Sequence, residues 1–535
     1  MAASIDNLER KRLILQSKLD QQKSSVDRNK LGQFATPTLL ARDIVAYGVS
    51  LLPSGRHIQF FDPAIGTGAF YSALRAICPN GRVARAAGFE IDPHYGLPAT
   101  ELWRDAPLDY TLADFTKQKP DPRYNLIICN PPYVRHHHLT NDDKLRLQHE
   151  TRLASGMKLS GLAGLYCHFL GLAHAWMARD AVAGWLIPSE FMDVNYGAAI
   201  KRYLLDQVTL LHIHRFDPSD VQFADALVSS AVVWFQNTPQ ATNASTDHRV
   251  KFTFGGSLTE PRITRMIPAS VLREEAKWTR FPREVAREAN TMPTLGDFFK
   301  IKRGIATGGN SFFILTEADA RKRRIPRSML RPILPSPRYV PTDLIDADDT
   351  GSPMLDRRLF LLDTRLSESE IERRHPSLWA YLQEGRAQGL HEGYICRHRP
   401  LWYAQEQRPP APIVCTYLGR STKRTADRTG RPFRFIRNRS KATVANVYLA
   451  MYPTPALQRI AGDDPDLFDQ IWRLLNEIDI AHMLGEGRVY GGGLHKLEPK
   501  ELAKVPVPTL ADLLPTDALP KAAESESLFA LVTDK

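Results

Sequence analysis

Short apolar runs alternate with amphipathic segments between about residues 31 and 236. Six of the runs have the length of a strand: HIQFFDPA, ARAAGFEID, YNLIICNPP, AVAGWLIP, VTLLHIHRF and LVSSAVVWF. Strands that alternate with helical segments are typical of a parallel α/β sheet. The pattern therefore predicts an α/β, Rossmann-like domain over residues 31–245.

Other segments are predicted on both sides of this domain. Residues 4–23 have helical spacing and precede the polar stretch KSSVDRNK, which predicts a helical arm over 1–30 that ends in a hinge. The polar text NTPQATNASTDHRV predicts a linker, placed at 246–290. Residues 291–515 read as a mixed α+β domain, with strands in DFFKIKRGIAT and APIVCTYLG and one helix in DPDLFDQIWRLLNEIDIAHML. A tail is predicted at 516–535.

The charge balance favours an anionic partner. The 535 residues include 70 Lys and Arg against 59 Asp and Glu, a net charge of +11, and nucleic acid is the leading partner for such a chain. Between Gly393 and Lys441 there are twelve basic residues against two acids, with aromatic residues among them. This mixture suits contact with phosphates and bases, although a solvated loop is the alternative. The basic residues predicted to bind DNA are Arg397, Arg399, Arg420, Lys423, Arg424, Arg434, Arg437 and Arg439.

Cysteine and histidine positions argue against other classes of site. The five cysteines are scattered without a CxxC pair, which favours neither a disulfide framework nor a zinc site. Three consecutive histidines at 136–138 are more typical of a loop near DNA phosphates than of a metal centre, so no metal is predicted. No signal peptide or membrane-spanning run occurs, which predicts a soluble, cytoplasmic protein.

A first group of candidate residues follows the first apolar run. That run ends at Asp62 and Pro63 and turns through Gly66 and Gly68 into a helical segment, where a ligand can approach bare backbone. The next run ends at Glu90, which is placed to accept hydrogen bonds from ribose hydroxyls. Two further residues, Asp114 as an acceptor and Phe115 as a ring, suit an adenine base.

The run YNLIICNPPYV carries the most specific signal. Asn130, Pro131, Pro132 and Tyr133 follow an apolar strand, and the two prolines stiffen the backbone while removing N–H donors. The Asn130 amide oxygen and the Pro131 carbonyl are then two acceptors for one amino group, and Tyr133 can stack on a base. Cys129 lies inside the apolar strand, so we interpret it as a buried thiol and not as a nucleophile.

Residues 31 to about 235 resemble the gamma-class, TaqI-like N6-adenine DNA methyltransferases of type II restriction-modification systems. Five motifs match in the order of that class: LGQFATP at 31–37, DPAIGTGAF at 62–70, GFEID at 88–92, ADF at 113–115 and NPPY at 130–133. The segments DFFKIKRGIATGGNSFFI and YGGGLHKLEPKELAKVPVP are similar to parts of its target recognition domains. The resemblance thus implies that residues 291–515 recognise DNA.

The resemblance also implies S-adenosylmethionine as the cofactor. Gln33, Phe34 and Thr36 would help to hold its methionine end, while the glycine turn, Glu90, Asp114 and Phe115 would take the rest. Asn130, Pro131 and Tyr133 would serve the target base, and Phe223 would cover its other face.

The implied reaction is methylation of N6 of a flipped adenine in a specific double-stranded DNA sequence, without a covalent enzyme intermediate. A separately encoded endonuclease that cuts the same sequence and a solitary enzyme without such a partner both stay open, and the enzyme is expected to be a monomer. Three substrates of the same fold stay open: N4 of cytosine, RNA and a protein glutamine. A further alternative is a DNA-binding subunit without catalysis.

Overall fold

The computed structural model describes residues 2–78, 81–217, 229–238, 248–281, 292–420, 431–461, 465–490 and 494–512. The chain divides into a first unit, Met1–Glu288 with Tyr490–Gly492, and a second unit, Ala289–Val489 with Gly493–Lys535. No helix in the described part of the chain has the length and apolar character needed to cross a membrane.

One nine-stranded sheet organises the first unit, in the order β3-β2-β1-β4-β5-β7-β6-β8-β9. Its strands are β1 (Ile58–Asp62), β2 (Val83–Glu90), β3 (Asp109–Leu112), β4 (Tyr124–Cys129), β5 (Met177–Pro188), β6 (Thr209–Arg215), β7 (Ser230–Gln236), β8 (Arg249–Gly256) and β9 (Pro261–Pro268). Its helices are α1 (Ala2–Gln21), α2 (Ser25–Leu31), α3 (Thr38–Ser50), α4 (Ala69–Ile77), α5 (Pro93–Leu102), α6 (Asn141–Ser155), α7 (Leu165–Ala173), α8 (Gly197–Arg202) and α9 (Ala269–Glu274).

The core lies on both faces of this sheet because successive strand residues point to opposite sides. Along β4, Leu126 and Ile128 pack with α3 and α4 on one face. Ile127 and Cys129 pack with α7 on the other face. Burial on both faces explains the continuous apolar runs in the sequence. The Rossmann-like α/β fold and all six predicted strands are confirmed.

Three features of the first unit differ from the sequence-based expectations. The sheet is not wholly parallel, because β7 lies antiparallel between β5 and β6. The linker predicted at 246–290 is wrong where it is described, since β8 and β9 extend the sheet there. Strand β3 was not predicted, because its four residues DYTL are too short for an apolar pattern.

The predicted hinge after the first helix is also wrong. Residues Ser25–Leu31 form the helix α2, because the Ser24 hydroxyl accepts a hydrogen bond from the Asp27 amide and caps its first turn. Gly32 ends the helix in the left-handed conformation with φ 66°. The arm is therefore two consecutive helices.

The second unit contains one five-stranded sheet and two three-stranded sheets, ordered β10-β18-β15-β17-β13, β11-β14-β12 and β16-β20-β19. Its strands are β10 (Phe299–Arg303), β11 (Ile314–Thr316), β12 (Leu330–Ile333), β13 (Leu344–Ile345), β14 (Leu359–Leu362), β15 (Ile413–Thr416), β16 (Leu418–Arg420), β17 (Phe435–Asn438), β18 (Tyr448–Pro453), β19 (Arg488–Tyr490) and β20 (Leu494–Lys496). Its helices are α10 (Leu295–Phe298), α11 (Asn310–Phe313), α12 (Glu317–Lys322), α13 (Glu368–Arg374), α14 (Pro376–Ala387), α15 (Tyr394–Arg397), α16 (Pro455–Ala461), α17 (Pro465–Glu477), α18 (Ile480–Glu486), α19 (Pro499–Leu502) and α20 (Pro508–Asp512).

The mixed α+β character of the second unit is confirmed, with β10 and β15 in the two predicted strands. The single helix predicted from DPDLFDQIWRLLNEIDIAHML is instead two helices, α17 and α18, which are separated at residues 478–479. The predicted tail at 516–535 lies outside the described residues.

Candidate active site

Parallel pairing brings the ends of three predicted motifs to one edge of the first sheet. Strand β1 pairs in parallel with β2 on one side and with β4 on the other. Asp62 ends β1, Glu90 ends β2 and Asn130 follows β4. Because the carboxyl ends of parallel strands share one edge, the fold places these residues together at the edge where α/β sheets bind ligands, and this region is called the crevice below.

The glycine turn after β1 has one open position and one packed position. Gly66 has φ 55°, and no atom lies within 4 Å of the place where a Cβ would be. Gly68 has φ 89°, and a Cβ there would lie 2.6 Å from the Trp103 indole nitrogen. Tyr110 donates a hydrogen bond of 2.8 Å to the Gly66 carbonyl. Trp103 and Tyr110 therefore pack against the turn, while the space beside the Gly66 backbone stays open.

Two carboxyl groups beside this turn have raised pKa values. Asp62 is 1% exposed, and burial, with the nearby charge of Glu90, raises its pKa from 3.8 to about 8. Burial likewise raises the pKa of Glu90 from 4.5 to about 7, although the Asp92 amide donates a hydrogen bond of 2.7 Å to it. Such perturbed groups in a crevice are typical of binding sites.

The pair predicted to hold adenine lies at the end of β3. The Asp114 carboxylate caps a short 3-10 helix by accepting a hydrogen bond of 2.9 Å from the Thr116 amide. Phe115 is only 3% exposed and packs against Phe169 and other core rings. Asp114 is partly exposed, whereas Phe115 belongs mainly to the core.

The side chain of Asn130 is held in one orientation. Its amide nitrogen donates to the Phe34 carbonyl at 3.0 Å and to the Thr36 hydroxyl at 3.1 Å. Its amide oxygen is buried and has no hydrogen-bond partner in the described structure. Two neutral acceptors hold the NH₂ end, so the oxygen is the end that stays available to a donor. A buried acceptor without a partner is costly unless a ligand supplies the missing donor.

Tyr133 is fixed beside this amide. Its hydroxyl donates to the Leu186 carbonyl at 3.0 Å, and its ring centroid lies 5.6 Å from that of Phe34. The Tyr133 amide donates to the Gly32 carbonyl, and a Cβ on Gly32 would lie 2.2 Å from that amide nitrogen. The motifs LGQF and NPPY are therefore in direct contact. Of the two prolines between Asn130 and Tyr133, the first is buried and the second is partly exposed.

Gln33 is engaged differently from its sequence-based role. Its side-chain amide donates to Asp92 at 2.7 Å and accepts a hydrogen bond of 2.7 Å from Lys23. Lys23 also forms an ion pair of 2.6 Å with Asp92, the residue that caps α5. Gln33 therefore stabilises the position of Asp92 and Lys23 at the side of the crevice. Sequence reasoning missed Lys23 because it lies in the predicted hinge.

The N-terminal helix contributes a buried ion pair that sequence reasoning also missed. Arg12 is 1% exposed and forms an ion pair of 2.7 Å with Glu9. Arg12 donates to the Thr67 hydroxyl in the glycine turn at 3.3 Å and to the Thr38 hydroxyl at 3.4 Å. The Ser72 hydroxyl of α4 donates to Glu9 at 2.6 Å. Although burial opposes it, this set of hydrogen bonds lowers the pKa of Glu9 to about 2. The opposite charges of Glu9 and Arg12, three positions apart in a predicted helix, could have indicated the pair.

Cys129 borders the crevice through a hydrogen bond to Asp62, but its thiol is not accessible to a substrate. Cys129 is fully buried, and burial raises the pKa of its thiol well above the ordinary value. The three histidines at 136–138 form a 3-10 turn without a fully buried residue. The described ranges hold no group of three His, Cys, Asp or Glu side chains placed to bind a metal ion.

Two of the predicted DNA contacts are interior side chains. Arg434 is 9% exposed and donates to Asp343 at 2.7 Å. Arg437 is 8% exposed and donates to Asp469 at 3.0 Å. Both guanidinium groups already bind a carboxylate inside the second unit. The prediction that they contact phosphates directly is wrong, because both side chains are buried and paired with carboxylates.

The other predicted basic residues are spread over different positions. Arg439 forms ion pairs with Asp346 and Asp469. Arg397 is exposed and Arg399 is partly buried, so their contact with DNA stays a prediction. Arg420 ends β16. Lys423, Arg424 and the base-stacking candidate Phe223 lie outside the described residues.

Two family models match the chain. The one described as "Eco57I restriction-modification methylase" matches residues 100–222. The one described as "Type II methyltransferase M.Eco57I, C-terminal domain" matches residues 276–530. The matches fall on both units.

Two curated relatives align over most of their length. Type II methyltransferase M.XamI from Xanthomonas campestris pv. amaranthicola is 28% identical over 494 residues, which cover 90% of this chain and 86% of the relative. Type II methyltransferase M.AccI from Acinetobacter calcoaceticus is 27% identical over 494 residues, which cover 89% and 85%. Among solved structures, the Type IIL restriction-modification enzyme MmeI in complex with DNA has a TM-score of 0.56 at 12% identity and covers 92% of this chain and 70% of its own. That likeness concerns the fold alone.

Proposed function

Since the chain belongs to the type II restriction-modification methyltransferases, we propose that it methylates N6 of adenine in a specific double-stranded DNA sequence. The target base is flipped out of the helix before transfer, because an amino group inside a duplex is paired and stacked. Assignment to the gamma class stays a prediction.

One observation carries the proposal. The buried amide oxygen of Asn130 has no partner, while the amide nitrogen is held by Phe34 and Thr36. An exocyclic amino group is the donor that such an oxygen lacks. The Pro131 carbonyl is the second acceptor, so both amino hydrogens are bound and the nitrogen lone pair is left for the methyl group.

The cofactor is S-adenosylmethionine, and the residues of the crevice fit it. When bound, it supplies an electrophilic methyl group on a sulfonium. In this proposal Glu90 would accept hydrogen bonds from its ribose hydroxyls, and the open space beside the Gly66 backbone would admit close approach. Phe34 and Thr36 border the methionine end and also hold Asn130, so one short segment serves the donor and the acceptor of the methyl group.

The protein contributes mainly alignment. Asn130 and Pro131 orient the amino group for in-line attack, and the ring of Tyr133 stacks on the base. Holding two reactants in line can supply much of the rate acceleration of such a transfer. Buried acceptors also stabilise the positive charge that develops on the attacking nitrogen, because they need no reorganisation.

The experiment is long-read sequencing of DNA from a methylation-free bacterium that expresses the chain. We expect N6-methyladenine in one short sequence motif, and none in cells that express Asn130→Ala at the same level. N4-methylcytosine would move the reaction to the other amino group. Unmodified DNA, together with soluble protein that binds S-adenosylmethionine, would contradict the proposal and favour RNA or protein as the substrate.

A further inference from the structure

One end of the five-stranded sheet in the second unit collects basic and aromatic side chains. Strands β10 and β15 run toward this end and β17 runs away from it, as the antiparallel pairing through β18 requires. Strand β13 runs parallel to β17, so the segment that precedes β13 lies at the same end. Arg303, Tyr417 and Arg434 all lie here, at or beside the strand ends.

The buried Arg434 anchors the segment before β13. Besides its bond to Asp343, it donates to the Val340 carbonyl at 3.0 Å and to the Pro337 carbonyl at 3.4 Å. These bonds hold the 3-10 turn Pro337–Tyr339 against the sheet. Arg434 therefore positions this turn and does not contact a partner itself.

The turn presents two arginines on one exposed ring. Tyr339 is 42% exposed, and the guanidinium carbons of Arg357 and Arg338 lie 4.2 and 5.0 Å from its ring centroid. Both arginines are exposed, and in the described chain neither is paired with a carboxylate. The adjacent Arg358, by contrast, forms an ion pair of 3.3 Å with Asp348.

Two like charges on one ring repel each other unless an anion lies between or beside them. The ring attracts each cation, which limits the positions that the long side chains adopt. A third exposed cation, Arg303, lies at the same end of the sheet, 4.1 Å from the Tyr417 ring. This arrangement offers fixed guanidinium groups with free donors, the geometry that phosphate oxygens accept.

We propose that the arginine–tyrosine cluster, Arg338, Tyr339 and Arg357, binds the phosphate backbone of duplex DNA. The inference rests on the proposed function, because a DNA methyltransferase must hold its duplex while the base is flipped. A duplex presents about one negative charge per 1.7 Å of its axis, so two adjacent cations contact neighbouring phosphates. The cluster supplies affinity and orientation, and base reading is the task of other side chains.

The test compares two double variants of the full chain by fluorescence anisotropy with a duplex of arbitrary sequence at several salt concentrations. Arg338→Gln with Arg357→Gln removes the cluster cations. Arg373→Gln with Arg374→Gln removes two exposed cations from α13 and is the matched control for net charge. All four positions are exposed, so both variants are expected to fold, and thermal melting checks this.

We expect the cluster variant to bind at least about tenfold more weakly, with the slope of log K against log salt reduced by about two, since each phosphate contact contributes about 0.9. The control is expected to change affinity less than about threefold, because screening weakens distant charges. Tyr339→Leu keeps both cations and should give an intermediate loss.

If both double variants lose the same affinity for duplex DNA, or if neither loses any, the proposed role of the cluster is wrong. The proposal is also wrong if the protein without substitutions fails to bind duplex DNA. The two proposals fail separately. If the unmodified chain binds DNA but leaves it unmethylated, the proposed reaction is wrong, whereas methylation and binding that both survive in the cluster variant contradict only the phosphate-binding surface.

Discussion

The orientation of a single amide decides what the NPPY motif can bind. Asn130 is held by two acceptors at its nitrogen end. Within the preceding strand β4, Asn125 donates to the His57 carbonyl at 2.8 Å and accepts from the Gln59 amide at 2.9 Å, so both ends of its amide are used within the fold. The two residues have the same chemistry, and only Asn130 has an unused oxygen.

This contrast gives a matched pair of variants. Asn130→Ala should lower kcat by at least about 10²-fold, the usual cost of removing a preorganised polar group from a reacting centre, while the affinities for DNA and S-adenosylmethionine change little. Asn125→Ala should lower the melting temperature and leave kcat of the folded protein nearly unchanged. Single-turnover methylation and calorimetry measure the two effects, and equal loss of kcat in both variants would contradict the assignment.

Thr36→Val tests the orientation itself. The substitution keeps the shape and removes the hydroxyl that accepts from Asn130 at 3.1 Å. One net hydrogen bond is worth about 0.5–1.5 kcal/mol, so we expect kcat to fall a few-fold, far less than in Asn130→Ala. A fall as large as that of Asn130→Ala would give Thr36 a more direct role.

The raised pKa values of Asp62 and Glu90 predict that stability and cofactor affinity depend on pH. Asp62 and Glu90 keep their protons to pH values of about 8 and about 7, whereas the unfolded chain releases them near pH 4. Their contribution to stability is therefore complete below pH 4 and declines as pH rises through that window. In the proposed site the ionised form of Glu90 would accept from the ribose hydroxyls of the cofactor, so affinity for S-adenosylmethionine should rise with pH over about 6 to 8. Calorimetric titration measures it, and Glu90→Gln should bind more weakly with a flatter profile.

At the scale of elements, the first helix is part of the crevice and not an appendage. It reaches the glycine turn and α3 through Arg12, and it reaches α4 through Glu9. Helix α2 ends at Gly32, which touches Tyr133. The two helices of the arm thus support both the cofactor side and the base side of the proposed site.

Arg12→Met should show this coupling. Removing one partner of a buried ion pair costs about 3–5 kcal/mol of stability, and the loss of the bond to Thr67 should raise the KM for S-adenosylmethionine more than it lowers kcat. Arg10→Met, at an exposed position of the same helix, is the control and should behave like the unmodified chain. A melting shift without any change in KM would reduce Arg12 to a purely structural role.

At the scale of the whole molecule, the positive net charge should make the binding of DNA, but not that of S-adenosylmethionine, depend strongly on salt. With a net charge of +11, the chain should bind DNA with a steep salt dependence, because each phosphate contact releases condensed counterions. S-adenosylmethionine is small and, in the proposed site, would lie among buried groups, so its KM should change little. Steady-state kinetics at increasing salt compare the two KM values, and parallel changes would contradict this division.

Much of the architecture could be predicted because its causes are local. Six apolar runs predicted six of the nine strands of the first sheet. The order of the motifs at the ends of these strands indicated one reaction. Strand β3 escaped prediction because four partly exposed residues carry little periodic signal. Strands β8 and β9 escaped because they lie beyond a polar stretch that was taken for the start of a linker.

The sequence by itself determined the α/β alternation, the positions of the glycine turn and NPPY, and the excess of positive charge, since each depends on residues close together in the chain. Only the tertiary structure decided which polar atoms are already bonded. It left the Asn130 oxygen without a partner, directed Gln33 to Asp92 and buried Arg434 against Asp343. The physical reason is that a hydrogen bond or an ion pair depends on distance and burial, and its partners here are separated by many residues along the chain.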